Sequence, residues 1–352
     1  MFHDTERRRW LLTRYEDVSA ALRDDEHFTA RQEGGASMLV SDPPEHTRLR
    51  NLVSKPFTPK AVRAWAPMIE RVVADLLAPL REGDEVDVIA AFAYPLPITV
   101  IAEMLGVAHD RRDFFREVSS AIAVSLGPIT DPAVARAAGE ASGRLAAYFN
   151  ELIAERERDP RDDLVTALLH AEEAGDLLSR RELISMLTLL LIGGHETTVN
   201  LIANALLAML RNPAQFALFR DTPGLEKQAV EEFLRYDSPV QYTGRMTRTE
   251  IEIGGTRIGA GESVRMILAA ANRDPAIWPD PDALEIRREP HPNIAFGVGV
   301  HSCLGAPLAR LEAEIALPAI VRRFPGMQLT GRPLRYRTAS VLRGLEELWL
   351  RL

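Results

Sequence analysis

Between about residue 59 and residue 236, apolar side chains recur at three- and four-residue steps, the spacing of helices with one buried face. The pattern predicts helices over 59–80, 92–106, 111–126, 132–157 and a long one over 179–210. The joints carry Pro, Gly or Asp, as in GPITDP (127–132) and ERDPRDD (157–163). After Pro239 the texture changes. From Tyr242 to Ile267 apolar and polar residues alternate around Gly254-Gly255 and Gly259-Ala260-Gly261, which reads as short hairpin strands. A last long helical pattern follows residue 303, running LGAPLARLEAEIALPAIVRRF, and 327–352 returns to short strands and turns. No repeat, low-complexity tract or Ser/Gly linker divides the chain. The expectation is one mainly α domain over 1–352, with small sheets dispersed along it.

Composition narrows the function only by exclusion. The 42 basic and 50 acidic residues leave a formal charge of −8, a poor basis for binding nucleic acid, which needs clustered Lys and Arg. One cysteine excludes an intramolecular disulfide and fits a reducing, cytoplasmic setting. The start, MFHDTERRRW, has no apolar stretch behind its basic run, so neither a signal peptide nor a membrane anchor is expected. The longest apolar run, LTLLLIGG (187–194), is far shorter than a membrane span.

That single cysteine stands in FGVGVHSCLGAPLAR, Phe296 to Arg310. A lone Cys is most often a small buried apolar residue, but here its neighbours are unusual. Gly297 and Gly299 permit a backbone path closed to other residues, and Cys303 precedes a helix with Pro307 in its first turn. Free N–H groups at a helix start would favour an anionic sulfur, and so lower its pKa. Gly297-x-Gly299 also opens a dinucleotide-binding pattern, but Ser302 replaces the third glycine and no βαβ pattern surrounds it. The segment resembles the haem-binding signature of the cytochrome P-450 family, matching at Phe296, Gly297, Gly299, His301, Cys303 and Gly305. The resemblance implies the cytochrome P-450 fold, haem b as cofactor and Cys303 as the proximal iron ligand. Phe296, His301 and Gly305 would line the same haem site.

A second motif, GGHETT, sits inside the long apolar helix from Gly193 to Thr198. Two glycines there cost roughly 1 kcal/mol each against Ala, which suggests a kink or a group packed close to the backbone. His195-Glu196 begins the zinc-protease pattern HExxH, but Val199 stands where the second His belongs. The segment instead resembles the family's acid–alcohol pair. By that resemblance Gly193-Gly194 leave room for dioxygen, Glu196 and Thr197 deliver protons to it, and His195 is structural.

In DPPEHTRLR (42–50), Asp42 reads as a helix N-cap, Pro43 as the first helical residue and Glu45 as the partner of a capping box. His46 and Arg50 then share a helix face, ordinarily a solvated one. The family resemblance makes His46, Arg50, Arg245 and His301 contacts of the haem propionates. Glu232, Arg235 and Arg288 match the family's buried structural network and are set outside the catalytic site.

The resemblance runs from Trp10 to Leu345, with two departures. Only nine residues precede the WLLTRYEDV segment (10–18), so the N-terminus reads as shortened. Residues 29–41 are also brief for a substrate-covering loop. They read as polar and too short for a covering helix, which predicts an open pocket for a bulky or carrier-bound substrate. The implied activity is a monooxygenase that reduces O2 with two electrons and hydroxylates a small or medium organic molecule. NAD(P)H would supply those electrons through a ferredoxin-type partner and its reductase, docking on Arg48, Lys55, Lys60 and Arg63. Leu189, Ile192, Val240, Gln241 and Val341 are expected beside the substrate. A peroxide-driven or oxidative-coupling enzyme and a non-enzymatic haem sensor are the alternatives; the sensor would not need the Glu196–Thr197 pair.

Overall fold

The structure, a computed structural model, describes residues 1–32, 35–107, 111–123, 131–173, 175–289, 291–337 and 341–352. Its helices are α1 (Tyr15–Arg23), α2 (Glu45–Ser54), α3 (Pro59–Arg63), α4 (Ala66–Leu77), α5 (Pro95–Met104), α6 (Arg112–Ala123) and α7 (Pro132–Arg158). They continue with α8 (Leu164–Leu169), α9 (Arg180–Arg211), α10 (Pro213–Asp221), α11 (Glu226–Tyr236), α12 (Leu268–Ala271) and α13 (Ala306–Arg323). Four of the five predicted helices of the first two-thirds are present as single helices. The exception is 59–80, which splits into α3 and α4. Pro67 has no N–H to give, and its ring would collide with the carbonyl of Arg63, so the chain restarts at Ala66. Most of GPITDP lies outside the described residues. Asp131 caps α7 and Asp163 caps α8, each side chain accepting a backbone N–H.

α9 is the axis. Ser179 and Glu182 form a reciprocal capping box at its start, and 32 residues follow without a break. The glycine pair therefore does not interrupt the helix. By length and composition α9 is apolar enough to cross a membrane, which the short run of 187–194 had not suggested. Its apolar residues are instead buried against α5, α6, α7, α11 and α13. One large core gathers around it, from Met38 to Leu352.

The strands are far apart in sequence and meet in space. β1 (Phe2–Asp4), β2 (Arg9–Leu12) and β3 (Phe28–Thr29) come early, followed by β4 (Glu85–Asp87), β5 (Glu172–Glu173) and β6 (Asp176–Leu177). β7 (Thr243–Thr247), β8 (Ile251–Ile253), β9 (Thr256–Ile258), β10 (Ser263–Met266), β11 (Gln328–Leu329) and β12 (Trp349–Arg351) complete the set. The predicted hairpin at Gly254-Gly255 is β8–β9, and both glycines take positive φ. β7 and β10 pair with each other and build a five-stranded sheet in the order β1-β2-β10-β7-β3, with β2 and β10 parallel. A separate sheet joins β11, β12 and β4. Together these sheets bring the two ends of the chain onto the helical body.

Candidate haem site

The cysteine segment is a closed loop fitted against α1. Gly297 and Gly299 have φ of +66° and +78°, and the Cys303 N–H donates back to the Phe296 carbonyl at 2.8 Å. Gly299 is required twice over. A Cβ there would stand 2.5 Å from the Leu22 carbonyl oxygen, on top of the strained φ. Gly305 is the N-cap of α13, and Pro307 lies in that helix's first turn. Arg310, one turn on, lies over the Phe296 ring at 4.6 Å and pairs with Glu231.

The thiol of Cys303 has accessible surface, yet protein mass surrounds it on most sides. Burial therefore raises its pKa, opposed by the N–H groups of Gly305 and Ala306 and by the charge of Arg50 and Arg310. This corrects the expectation of a lowered value. The helix start is present, but in the protein chain alone desolvation outweighs it. Two backbone N–H groups at the sulfur, with the charge of Arg50 and Arg310 nearby, suit a thiolate held by a cation.

α2 carries His46 and Arg50 on one face, as the spacing predicted, but its start is built differently. The helix begins at Glu45, with Pro44 rather than Asp42 at the cap position. The Asp42 carboxylate turns away, accepting from the Thr29 hydroxyl, from the Ala30 N–H at 2.9 Å and from Arg248 at 2.5 Å. It thereby ties the two ends of 29–41 together. That segment is also less featureless than its sequence suggested: Met38–Val40 make one 3-10 turn, and Met38 joins the core.

Arg50 donates to the carbonyls of Val300 and Ser302 at 3.2 and 2.8 Å, so it braces the cysteine loop. The rings of His46 and His301 stand 4.3 Å apart. Both imidazole nitrogens of His46 are buried without a hydrogen-bond partner. Burial and the nearby Arg50 lower the pKa of His46, while burial, Arg245 and His46 lower that of His301 to about 3. Arg245 donates to Thr243 and the Gly244 carbonyl, and desolvation depresses its pKa as well. The structure thus brings His46, Arg50, Arg245 and His301 to one place. They form a cluster of donors in which acidic charge is scarce, with Asp42 and, for His46, Asp25 as the carboxylates that act on it. Orphaned nitrogens and desolvated cations are costly unless anionic acceptors meet them, so two carboxylates fit here.

On α9, Gly193 and Thr197 are one turn apart and form an open strip in a stretch otherwise mostly buried. No atom lies within 4 Å of a Cβ built at Gly193, whereas one at Gly194 would meet Ile101 at 3.3 Å. The Thr197 hydroxyl donates to the Gly193 carbonyl at 2.9 Å. Glu196 points into the protein, 1% exposed, where Arg337 donates to it at 2.8 Å and Ser120 at 3.4 Å. Burial raises the pKa of Glu196, but His195 and Arg337 outweigh it and the net shift is downward.

Arg337 and Ser120 are the functional neighbours that sequence reasoning missed, and the partners of Asp42 were missed with them. No local pattern could have found them, because each acts across a separation of more than ten residues. The backbone N–H of Gln241 donates to the Val341 carbonyl, and its side-chain amide donates to the Ser238 carbonyl at 2.6 Å. The Glu232–Arg235–Arg288 network is present and buried, with Arg235 on Glu232 at 2.7 and 2.8 Å and Arg288 at 3.2 Å.

Comparison with known proteins decides the family. The cytochrome P450 family model matches residues 2–218 and 225–343. This chain belongs to the cytochrome P450 family. Cytochrome P450 107B1 of Saccharopolyspora erythraea is 45% identical to this P450, over 97% of this chain and 89% of its own length. Nocardicin C N-oxygenase of Nocardia uniformis is 39% identical over 96% and 88%. The solved structure of P450BioI, in complex with an acyl carrier protein ligated by hexadec-9Z-enoic acid, superposes with a TM-score of 0.93. It shares 38% identity and covers 97% of this chain and 92% of its own. The chain is a P450 monooxygenase, of a family that uses haem iron and O2 and whose bacterial relatives include enzymes of secondary metabolism.

Proposed function

We propose that this P450 binds haem b, with Cys303 supplying a thiolate to its iron, and hydroxylates a small-to-medium organic substrate. The observation that carries the reading is the pairing of two incomplete clusters: a lone thiol met by two helix-start N–H groups, and the unpartnered imidazole of His46 beside the desolvated guanidinium groups of Arg50 and Arg245, suited to two carboxylates. His46, Arg50, Arg245 and His301 would hold the propionates, and Phe296 and Gly305 would bound the cofactor on the thiolate side. Bound haem supplies a thiolate-ligated iron at which O2 is reduced by two electrons and one oxygen atom enters the substrate. The chain's own residues then govern protons. Thr197 presents a hydroxyl on the open strip of α9; its O–H donates to the Gly193 carbonyl, and its oxygen can accept there. Glu196, buried and held ionised, takes up a proton from the Arg337 side and passes it toward Thr197. The intact Glu196–Thr197 pair favours O2 over peroxide as oxidant, and enzyme over sensor.

NAD(P)H would act through an external ferredoxin-type partner in the cytoplasm. Lys55, Lys60 and Arg63 are exposed on and beside α3, which packs on α13, the helix that follows Cys303. Arg48 drops out of that face, being held by Asp176 and Glu182. The short 29–41 segment, closed at its base by Asp42, supports an open substrate entrance, and the acyl-carrier complex of P450BioI makes a carrier-bound substrate reasonable. The decisive experiment is Thr197→Ala in a reconstituted system. Haem and substrate binding should persist, while product formed per NAD(P)H falls and hydrogen peroxide rises. Equal coupling in variant and parent removes Thr197 from the chemistry.

A further inference from the structure

His195 is fully buried in the middle of α9, and the proton-delivery reading above leaves it without a task. Its Nδ1 lies 2.7 Å from the Leu191 carbonyl. A carbonyl oxygen only accepts, so Nδ1 carries a hydrogen. That leaves Nε2, which is buried with no hydrogen-bond partner in good geometry and faces Glu196 Oε1 at 3.5 Å. A bare Nε2 would leave two electron-rich buried atoms 3.5 Å apart, too close for a water to fit between them, and they would repel. One proton must therefore lie between the two atoms, on the imidazole or on the carboxyl. Arg337 chooses: its guanidinium, 2.8 Å from Glu196 Oε2, favours the ionised carboxylate, so the proton belongs on Nε2.

The groups around the pair agree. From the turn before α5, the Tyr94 ring meets His195 edge-on at 5.8 Å, and its hydroxyl is buried without a partner. From α6 come Ser119, Ser120 and Arg116, the last lying over the Tyr94 ring at 4.8 Å. Arg337, a third exposed, is the member that reaches solvent. Among the described residues no second carboxylate is recorded against His195.

We propose that His195 holds a proton on Nε2 shared with Glu196, and that this pair is a buried proton store supplying Thr197. The inference rests on the reading of Glu196 and Thr197 as the proton-delivery residues. In one transfer the proton moves from Nε2 to Oε1. The imidazolium becomes neutral imidazole, the carboxylate becomes a carboxylic acid, and that acid passes the proton on. Bulk water at the exposed edge of Arg337 returns one proton and restores the pair; Arg337 itself stays charged. His195 is thus a positioning residue, acting through Glu196.

The test is a long-range hydrogen–nitrogen NMR correlation on 15N-histidine-labelled holoprotein in its diamagnetic ferrous carbon monoxide form, near neutral pH. The His195 signals are assigned by their loss in His195→Gln, or in His195→Asn if the first variant folds poorly. Both ring nitrogens should show protonated shifts in the parent. In Glu196→Gln, whose side-chain amide can donate to Nε2, one nitrogen should move to the bare position. A bare nitrogen in the parent overturns the proposal. Coupling supplies the second arm. His195→Gln should keep the thiolate carbon monoxide band but lower product per NAD(P)H by roughly ten-fold. If Thr197→Ala uncouples turnover and His195→Gln does not, the store fails and the delivery reading stands. If Thr197→Ala leaves coupling intact, that reading fails, while the NMR result still decides where the proton lies.

Discussion

At the scale of single residues, this protein places groups where their ordinary preferences are unmet. Cys303 is a thiol whose burial penalty exceeds the help of two helix-start N–H groups, and a cation bound to sulfur reverses that balance. Cys303→Ser should therefore abolish the red-shifted Soret band of the reduced carbon monoxide complex, read by difference spectroscopy; an unchanged band would disprove the axial assignment. Asp42 offers a stability test. Burial raises its pKa, but the Thr29 hydroxyl, the Ala30 N–H and Arg248 together bring it below its ordinary 3.8. A carboxyl whose folded pKa is depressed contributes stability above its unfolded pKa and loses it as pH falls through the folded value. Asp42→Asn should thus lower the melting temperature at pH 7, by a loss of about 1–2 kcal/mol. The gap to the parent should close below about pH 4. A gap that persists unchanged in acid would show that the carboxylate charge is not what ties the loop.

At the scale of elements, two short segments bear more constraint than the long helices. The loop before α13 needs Gly299 for its left-handed φ and for the close approach of Leu22. Gly299→Ala should cost at least about 2 kcal/mol and reduce haem content in purified protein, measured as the ratio of Soret to protein absorbance. Beneath α11, Glu232 is, among the described residues, the one carboxylate that pairs with both Arg235 and Arg288. Removing it strands a buried guanidinium, so Glu232→Ala should destabilise by about 3–5 kcal/mol in urea unfolding. A loss within 0.5 kcal/mol would mean that the carbonyls of Asn272, Pro281 and Ala283 suffice for Arg235.

At the scale of the whole molecule, the charge is uneven although the net is −8. Exposed Lys55, Lys60 and Arg63 lie on and beside α3, which packs on the cysteine helix, whereas Arg48 is spent on internal pairs. An acidic electron donor should be drawn to that face by long-range attraction that salt screens. Lys60→Glu combined with Arg63→Glu should slow reduction by an acidic ferredoxin several-fold at low ionic strength, and stopped-flow traces should converge with the parent as salt rises. Rates indifferent to both changes would place the docking face elsewhere.

Much of the fold was legible in the chain, because helix periodicity, caps and glycine turns are local properties. α5, α6, α7 and α9, the hairpin of β8 and β9 and the helix after Cys303 all declare themselves within a few turns of sequence. So do the two motifs, since a ligand loop and a proton-delivery helix need particular residue types at short spacing. Partners were not legible. The pairing of β2 with β10, the seat of Asp42 on Thr29 and Arg248, and the grip of Arg337 on Glu196 join residues between 13 and more than 200 positions apart. Nothing in residues 42–50 says that Asp42 prefers those partners to the helix start it could have capped. Nor does any local pattern say that burial outweighs the helix N-terminus at Cys303. Such choices depend on which groups share a water-poor interior, and that is settled only when the whole chain has packed.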